Sequence, residues 1–167
     1  MVNKKSLNYP NSKKNEKFDP SKEFFVIDTF NINSVRTRLY GYAFTKENAR
    51  IIQNHTYNDN MNLDISGSFV LVKTSKDTIT ISQDFNGSFG LYLYKDKEYF
   101  AISNSFFELV NHLLNKTKLT FNEEYANEFL FASLTTSVYN ETLVNEISVL
   151  PRNTKITINK IKKNSLY

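Results

Sequence analysis

The chain has 167 residues, of which 40% are hydrophobic, enough for one domain with a substantial core. Its formal net charge of +4 is confined to residues 1–22, since the remaining 145 residues hold 15 basic and 15 acidic groups. The absence of cysteine excludes disulfides, thiolate metal sites and cysteine nucleophiles. No apolar run approaches the roughly 18 residues of a membrane-spanning helix, which indicates no membrane partner.

Residues 1–22 are predicted to form a flexible basic tail. Six lysines stand among mostly polar residues there, without the apolar stretch of a secretory signal, so we expect a cytoplasmic protein. The lysines are dispersed and form no defined patch, which favours a solvated tail over an arm that binds a polyanion. Nucleic-acid binding is therefore not expected.

Strands dominate the next stretch of the chain. Alternating apolar residues and β-branched or aromatic runs predict six strands there, of which the last four are joined by connectors of hairpin length and indicate an antiparallel meander. These strands are Glu23–Phe30, Val35–Phe44, Ser68–Thr74, Thr78–Gln83, Phe89–Tyr94 and Tyr99–Ser103. Between the second and third strands, the segment Lys46–His55 is predicted to be a short helix.

The apolar period then changes to that of a helix. Phe106, Leu109, Val110, Leu113 and Leu114 share one helical face, and Ser105 and Glu108 have the spacing of a capping box. A second helix is expected over Glu123–Ala132, capped by Asn122, with Tyr125, Phe129, Leu130 and Leu134 as its apolar members. Two final strands are predicted over Thr142–Leu150 and Thr154–Ile158, which makes the fold class α+β.

The segment "DFNGSFG", Asp84–Gly90, has the composition of a ligand-binding loop. A calcium loop of the EF-hand type would need further oxygen ligands and flanking helices, and a phosphate loop would need a helix after it. A nucleic-acid clamp of the G-x-x-G type needs a basic loop in a helical setting. The segment is instead predicted to be a hairpin in which Asn86 and Gly87 form a type I′ turn, with φ above zero at both residues.

The two histidines, His55 and His112, are interpreted as structural or surface residues. No second nitrogen or thiolate ligand lies at a suitable spacing from His112, so no metal site is predicted. The acidic residues are scattered and form no acid–base pair that the sequence alone reveals. The sequence predicts no catalytic residue and no cofactor.

Three blocks in order give residues 64–158 a resemblance to a known family. The first is "GSFVLV", Gly67–Val72, which is similar to a G-x-F-A strand. The second is "SQDFNGSFGLYL" followed by "FAISNSFFEL", and the third is "TLVNEISVLPRN". The blocks match the motifs A-R-D-R-x-G-x-x-P-L-Y-Y, F-A-x-x-S-E-x-K-x-L and T-L-x-x-x-I-x-x-L-P-P-G. The matching scaffold residues include Asp84, Gly87, Leu91, Tyr92 and Pro151.

These blocks resemble the amino-terminal glutaminase domain of the asparagine synthetase family, the class II glutamine amidotransferases. The resemblance implies an Ntn-hydrolase-like α/β/β/α sandwich of two antiparallel sheets flanked by helices. It places the domain at residues 23–160, with residues 161–167 as a carboxyl-terminal tail or the start of a linker. Asn153 stands where the family has glycine, a position that suits φ above zero.

The resemblance also implies a reaction that this chain lacks the residues to perform. Family members attack the glutamine side-chain amide with an amino-terminal cysteine, and the free α-amine acts as the base. Here Val2 stands at the usual position of that cysteine, and the R-G-P-D and N-G-E-x-Y-N blocks have no counterpart. We therefore expect a catalytically silent glutaminase-like domain that supports or regulates an ATP-pyrophosphatase-type synthetase, either a separate chain or another part of a longer protein.

Two other functions stay open on the sequence. Cleavage of the tail could expose Ser6, Ser12 or Ser21 as the nucleophile of an active Ntn-type amidohydrolase, although nothing marks a processing site. Alternatively, the chain is a plain binding module whose lysine-rich tail engages an acidic partner.

Overall fold

The computed structural model describes residues 24–46, 50–54, 56–61, 63–131 and 140–161. These residues form strands, two α-helices and a 3-10 turn at Ile32–Ser34. The strands are β1 (Val26–Asp28), β2 (Arg38–Thr45), β3 (Ile51–Gln53), β4 (Leu63–Thr74), β5 (Thr78–Gln83), β6 (Tyr92–Lys95), β7 (Phe100–Ser103), β8 (Ile147–Val149) and β9 (Lys155–Asn159). The helices are α1 (Phe106–Leu113) and α2 (Glu123–Phe131). The basic tail at 1–22 and residues 162–167 lie outside the described residues.

The strands form two antiparallel sheets. A four-stranded sheet has the order β1-β7-β6-β8, and a five-stranded sheet has the order β3-β2-β4-β5-β9. One buried cluster contains side chains of both sheets, including Phe100 and Ile102 from the first and Ile79, Ile81 and Ile158 from the second. The sheets therefore pack face to face, and the predicted α+β class with two antiparallel sheets is confirmed.

Helix α1 covers the outer face of the four-stranded sheet. Leu109 and Leu113 are fully buried there against Tyr94, Ala101 and Ile147. This covering explains why all four residues of β7 are buried, since one of its faces meets the other sheet and the opposite face meets α1. The helical face predicted for this segment is confirmed at these two leucines, whereas Leu114 lies beyond the last helical residue and is exposed.

Only half of the predicted capping box forms at the start of α1. The side chain of Ser105 accepts the N–H of Glu108 at 3.4 Å, as expected of an N-cap. The other half would be a bond from the N–H of Ser105 to the Glu108 side chain. That N–H donates instead to the hydroxyl of Ser103 at 3.0 Å. The cap of α2 is as predicted, since the Asn122 side chain accepts the N–H of Tyr125 at 3.0 Å.

The outer face of the five-stranded sheet has a different cover. Leu39, Phe69 and Leu71 belong to a buried cluster on that face. Tyr57 and Met61, from the segment between β3 and β4, pack against it together with Leu63 at the start of β4. No helix lies over this face in the ranges that the structure describes. The described part of the chain thus shows three layers, helix, sheet and sheet, with an irregular segment on the fourth side. None of its helices is long and apolar enough to cross a bilayer.

Two predictions about local structure are wrong. The helix expected over Lys46–His55 is contradicted by β3, which pairs with β2 and buries Ile52 between two exposed neighbours. Burial alternates along β3 as in a strand although its apolar residues do not, because tertiary pairing decides the conformation of so short a segment. The expected four-stranded meander is also wrong, because β5 pairs with β4 and β9 while β6 pairs with β7 and β8. Residues 47–49 and 55 lie outside the description.

Strand boundaries differ from the prediction at several other places. The first strand is confined to β1 because Asp28 begins a tight turn, and only the last part of Thr142–Leu150 is extended as β8. The prediction for Thr78–Gln83 is confirmed, since these residues form β5 and every second side chain is buried. An alternating strand that carries one buried face is the pattern a sequence reveals best.

Candidate functional site

The matching scaffold residues Asp84, Gly87, Leu91, Tyr92 and Pro151 are called the fingerprint residues below. Asp84 lies directly after β5 with a fully buried side chain. Its Oδ2 accepts the N–H of Phe69 on β4 at 3.1 Å and the N–H of Ser88 at 3.1 Å. Its Oδ1 accepts the N–H of Asn86 at 3.0 Å and the hydroxyl of Ser88 at 3.1 Å. Both oxygens are therefore engaged, and Asp84 holds the chain in place as it leaves the sheet.

The turn after Asp84 does not return the chain into the same sheet. The N–H of Gly87 donates to the carbonyl of Asp84 at 3.1 Å, and Gly87 has φ 61°. Asn86 lacks the positive φ that a type I′ turn requires, so the predicted hairpin turn is wrong. The segment 84–91 instead crosses from β5 in one sheet to β6 in the other. Since β5 and β6 are not paired, the turn need not match the twist of a hairpin.

A second crossover, residues 150–154 between β8 and β9, lies beside the first. The N–H of Leu150 donates to the carbonyl of Leu91 at 2.7 Å. A Cβ built on Gly87 would lie 2.9 Å from Cγ and 3.1 Å from Cα of Arg152, so the two turns touch. Asn153 has φ 55°, which confirms the left-handed backbone predicted for it.

The other fingerprint residues occupy different surroundings. Leu91 is fully buried in the core between the sheets, whereas Pro151 is exposed and its carbonyl accepts the hydroxyl of Thr154. Tyr92, the first residue of β6, is half-buried on the outer side of its sheet. The structure thus brings Asp84, Gly87 and Pro151 together at the crossovers and separates Tyr92 from them.

An ionic cluster surrounds Asp28, which the sequence did not single out. Its carboxylate, 2% exposed, is the centre of five donors. They are His112 Nε2 at 2.7 Å, Lys116 Nζ at 3.1 Å, the Tyr99 hydroxyl at 3.0 Å, and the N–H groups of Phe30 and Asn31 at 2.8 Å each. These contacts tie β1 to the end of α1.

The donors determine how this cluster titrates. Burial alone would raise the pKa of Asp28, but the hydrogen bonds from His112, the Asn31 backbone, Lys116 and Tyr99 together hold that pKa well below its ordinary value. Burial and the Asp28 carboxylate raise the pKa of Tyr99. A carboxylate with a low pKa and all its acceptor positions engaged is a poor general base, so the cluster is a structural clamp. The interpretation of His112 as structural agrees with this contact.

One sequence signal could have found Asp28. The residues D-T-F-N place an aspartate and an asparagine three apart, directly after an apolar strand. In the structure the Asn31 side chain accepts the Asp28 N–H at 3.0 Å, while the Asp28 side chain accepts the Asn31 N–H at 2.8 Å. This reciprocal pair has the spacing of a capping box and ends β1.

An aromatic pocket lies between α1, α2 and the start of β6. Its cavity has a volume of about 270 Å³ and is lined by five aromatic rings together with Glu141, Thr142, Leu143 and Val149. The rings belong to Tyr92, Phe106, Phe107, Tyr125 and Phe129, and we call this set the aromatic pocket. Phe107 is 75% exposed and Phe129 54% exposed, so the two rings form an open rim.

The rings stand at steep angles to one another. The centroids of Tyr92 and Phe106 are 5.6 Å apart with their planes at 59°, and those of Phe106 and Phe107 are 5.7 Å apart at 72°. Burial raises the pKa of Tyr92, and Tyr125 beside it adds to the effect. The Tyr92 phenol therefore stays neutral at physiological pH.

Glu141 is the charged group of the aromatic pocket. It is exposed, and within the described ranges its carboxylate makes no hydrogen bond or ion pair. The hydroxyl of Thr142 is engaged with the carbonyls of Val144 and Ile147 at 2.9 Å each. The other polar side chains among the lining residues are Tyr92 and Tyr125.

Sequence reasoning missed this pocket although it named four of its rings, Tyr92 among them as a matched scaffold residue. Phe106 was assigned to the apolar face of the first helix, and Tyr125 and Phe129 to that of the second. In α2 only Ala126 is fully buried, so the larger side chains of that helix are free to line a cavity. The pocket depends on residues from four separate segments, and periodicity within one segment cannot reveal it. Leu134 lies outside the described residues.

A further cavity of about 350 Å³ opens at the outer face of the five-stranded sheet. Met61, Leu63, Phe69 and Leu71 form its apolar side, and Lys73 and Lys155 its charged side. Among the described residues, no group of three or more His, Cys, Asp or Glu side chains could hold a metal ion. The aromatic pocket is the better candidate for a functional site because five aromatic rings and the Glu141 carboxylate line one cavity.

Comparisons with known proteins gave no match. No protein-family model, no curated protein and no solved structure corresponds to this chain. The interpretation of its function depends on the residues and their geometry.

Proposed function

We propose that this chain is a glutaminase-like domain without a catalytic nucleophile, of the kind found in asparagine-synthetase-like proteins. Its role is to support or regulate an ATP-dependent synthetase of the ATP-pyrophosphatase type that forms an amide or amine. The finer fold assignment, an Ntn-hydrolase-like α/β/β/α sandwich, belongs to the same proposal. Two face-to-face antiparallel sheets with α1 outside are the part of that architecture present in the described residues.

The observation that carries the proposal is the left-handed backbone of Asn153, φ 55°, directly after Arg152, which touches Gly87. In the resembling family this position is a glycine, the residue that adopts φ above zero at no steric cost. Two motif blocks that are about 60 residues apart also meet at this point, through Arg152 and the Leu150–Leu91 hydrogen bond. A chance resemblance in sequence would not be expected to place its matched residues at one contact.

The chemistry available supports a silent domain. An Ntn-type glutaminase needs a nucleophile at the start of a strand, with a free amine beside it. The residues that lead into β1 are Phe24 and Phe25, and the N–H of Phe25 is bound to Asn104 Oδ1 at 3.0 Å. The serines of the alternative proposal, Ser6, Ser12 and Ser21, lie outside the described residues.

A binding role is supported by apolar side chains that stay exposed at the end of α2. Leu130 is 70% and Phe131 84% exposed, and Phe121 before the helix is exposed as well. Contiguous exposed apolar residues are typical of interaction surfaces. This surface is where we expect the synthetase to dock.

The test is to purify the tagged full-length chain from its source cells and to assay what accompanies it. We expect a partner with an ATP-pyrophosphatase loop and ATP-dependent release of pyrophosphate, lost in the double variant Leu130→Asp/Phe131→Asp. The matched control is Ile51→Asp, which changes an exposed apolar residue of β3, in the five-stranded sheet. Release of glutamate from glutamine by the chain alone, at the rate of an authentic amidotransferase, would refute the silent domain.

A further inference from the structure

We propose that the aromatic pocket binds an organic ammonium group, an alkylated nitrogen that carries a positive charge. This inference is independent of the synthetase partner, because it rests only on the rings, the carboxylates and the shape of the cavity. It assigns a ligand class to a site for which the sequence resemblance implies none.

The first support is the arrangement of the rings. Five aromatic side chains line one cavity of about 270 Å³, and neighbouring rings meet at 59° and 72°. Rings at such angles surround a ligand on several sides instead of stacking on one another. The face of an aromatic ring carries negative electrostatic potential, and several faces around one volume attract a cation that is weakly hydrated.

The second support is charge. Glu141 lines the cavity without a partner among the described residues. Three of the four segments that form its walls, residues 105–113, 121–131 and 140–149, contain six glutamates and no lysine or arginine, although the whole chain has a net charge of +4. The fourth, β6, contributes Tyr92 to the cavity and ends at Lys95, which is not among the lining residues. The glutamates are Glu108, Glu123, Glu124, Glu128, Glu141 and Glu146. This wall attracts cations and repels anions.

The third support is that the described cations with a ring contact lie elsewhere. The cation–π contacts among the described residues pair Arg38 with Tyr40, Lys73 with Tyr57, and Lys116 with Tyr99. None of these rings belongs to the aromatic pocket. His112, on the same helix as Phe106 and Phe107, faces Asp28 instead. Within the described ranges, the rings of the aromatic pocket are thus left open to the ammonium group of a ligand.

Such a group has two sources, a small free molecule such as choline or the methylated lysine side chain of a protein. Both present the same alkylated nitrogen. The open rim formed by Phe107 and Phe129 admits either one.

The experiment is an NMR titration of the full-length chain with choline and with 3,3-dimethyl-1-butanol, in which carbon replaces the charged nitrogen at the same size. We expect choline to bind at least about fivefold more tightly than the neutral alcohol, since a cation over exposed rings is favoured by that order of affinity. Equal binding of the two would show a merely apolar cavity and overturn the proposal. The proposal is also overturned if neither choline nor the methylated peptide described below binds.

Variants locate the effect. Phe107→Ala removes an exposed ring and Glu141→Gln removes the charge, and each is expected to weaken binding about fivefold while the fold, checked by circular dichroism, is kept. The matched control is Phe85→Ala, because Phe85 is 58% exposed but lies on the crossover turn away from the pocket. The assignment is contradicted if the control variant loses binding to the same degree. It is also contradicted if the two pocket variants bind as tightly as the wild type.

A final arm identifies the source. A short peptide with one trimethyllysine is compared with the same peptide carrying unmodified lysine. Preference for the methylated peptide over choline by about tenfold assigns the site to a protein side chain, and the reverse assigns it to a small molecule. Both results support the ammonium class, whereas tighter binding of the unmodified peptide than of its methylated form would refute it.

Discussion

Replacement of Asp84 by alanine is expected to destabilise the fold by about 3 kcal/mol. The carboxylate is fully buried and accepts three backbone N–H groups and one hydroxyl. The Phe69 N–H belongs to a buried residue of β4 and would lose its acceptor, which costs about 1–3 kcal/mol. Asn86 and Ser88 are exposed, so water can replace the carboxylate there at a cost of about 0.5–1 kcal/mol each.

One term acts in the opposite direction. No basic side chain bonds to Asp84 within the described part of the chain, so its removal relieves the cost of burying an unpaired charge. This relief keeps the net loss of stability for Asp84→Ala at about 3 kcal/mol. Asp84→Asn is expected to lose about half as much, because the amide keeps one acceptor but turns an N–H₂ group toward a backbone donor.

The assay is urea unfolding followed by far-ultraviolet circular dichroism. For a typical slope of about 2 kcal/mol per molar urea, the midpoint of Asp84→Ala should fall by about 1.5 M. The control is Asp77→Ala, which removes an exposed carboxylate between β4 and β5 and should change stability by less than about 0.5 kcal/mol. A loss below about 1 kcal/mol for Asp84→Ala would refute the role given to this carboxylate.

Three other predictions follow from single contacts. Asp28→Asn should lose about 2–3 kcal/mol at neutral pH, and its gap to the wild type should narrow on acidification. The sign follows from the lowered pKa of Asp28: its stabilisation is complete above the ordinary value of 3.8 and is lost as pH falls toward the folded pKa. A gap in urea midpoint that is unchanged between pH 6 and pH 3 would contradict it. At Asn153, with φ 55°, glycine should be neutral or slightly stabilising and valine should cost about 1–2 kcal/mol by thermal melting; equal melting temperatures would refute the conformation. Gly87→Ala should cost about 1–2 kcal/mol in the same assay, because its Cβ would lie 2.9 Å from Arg152 Cγ. An unchanged melting temperature would contradict the contact between the two turns.

The sequence predicted the strands better than their partners. Each strand with one buried face carries its own signal, as the alternation of Ile79, Ile81 and Gln83 in β5 shows. The division into two sheets depends on pairings such as β1 with β7 and β5 with β9, which are about 75 residues apart. A connector of hairpin length after β5 therefore suggested a hairpin where the chain crosses to the other sheet.

Single residues show the same limit. The positive φ of Asn153 could be predicted because the matched motif has glycine there, which is a local backbone requirement. The contacts of Asp28 with His112 and Lys116 span 84 and 88 residues, and no local pattern encodes them. The aromatic pocket likewise exists only once α1, α2, β6 and residues 141–143 have assembled.

The central proposal, a nucleophile-free glutaminase-like domain that serves a synthetase, is tested most directly by the nitrogen source of the assembled complex. ATP-dependent pyrophosphate release is measured for the chain with its partner in saturating ammonium and, separately, in saturating glutamine. The proposal predicts turnover with ammonium and none above background with glutamine, while the partner alone is less active or less stable than the complex. Glutamine-dependent turnover with matching release of glutamate would contradict it.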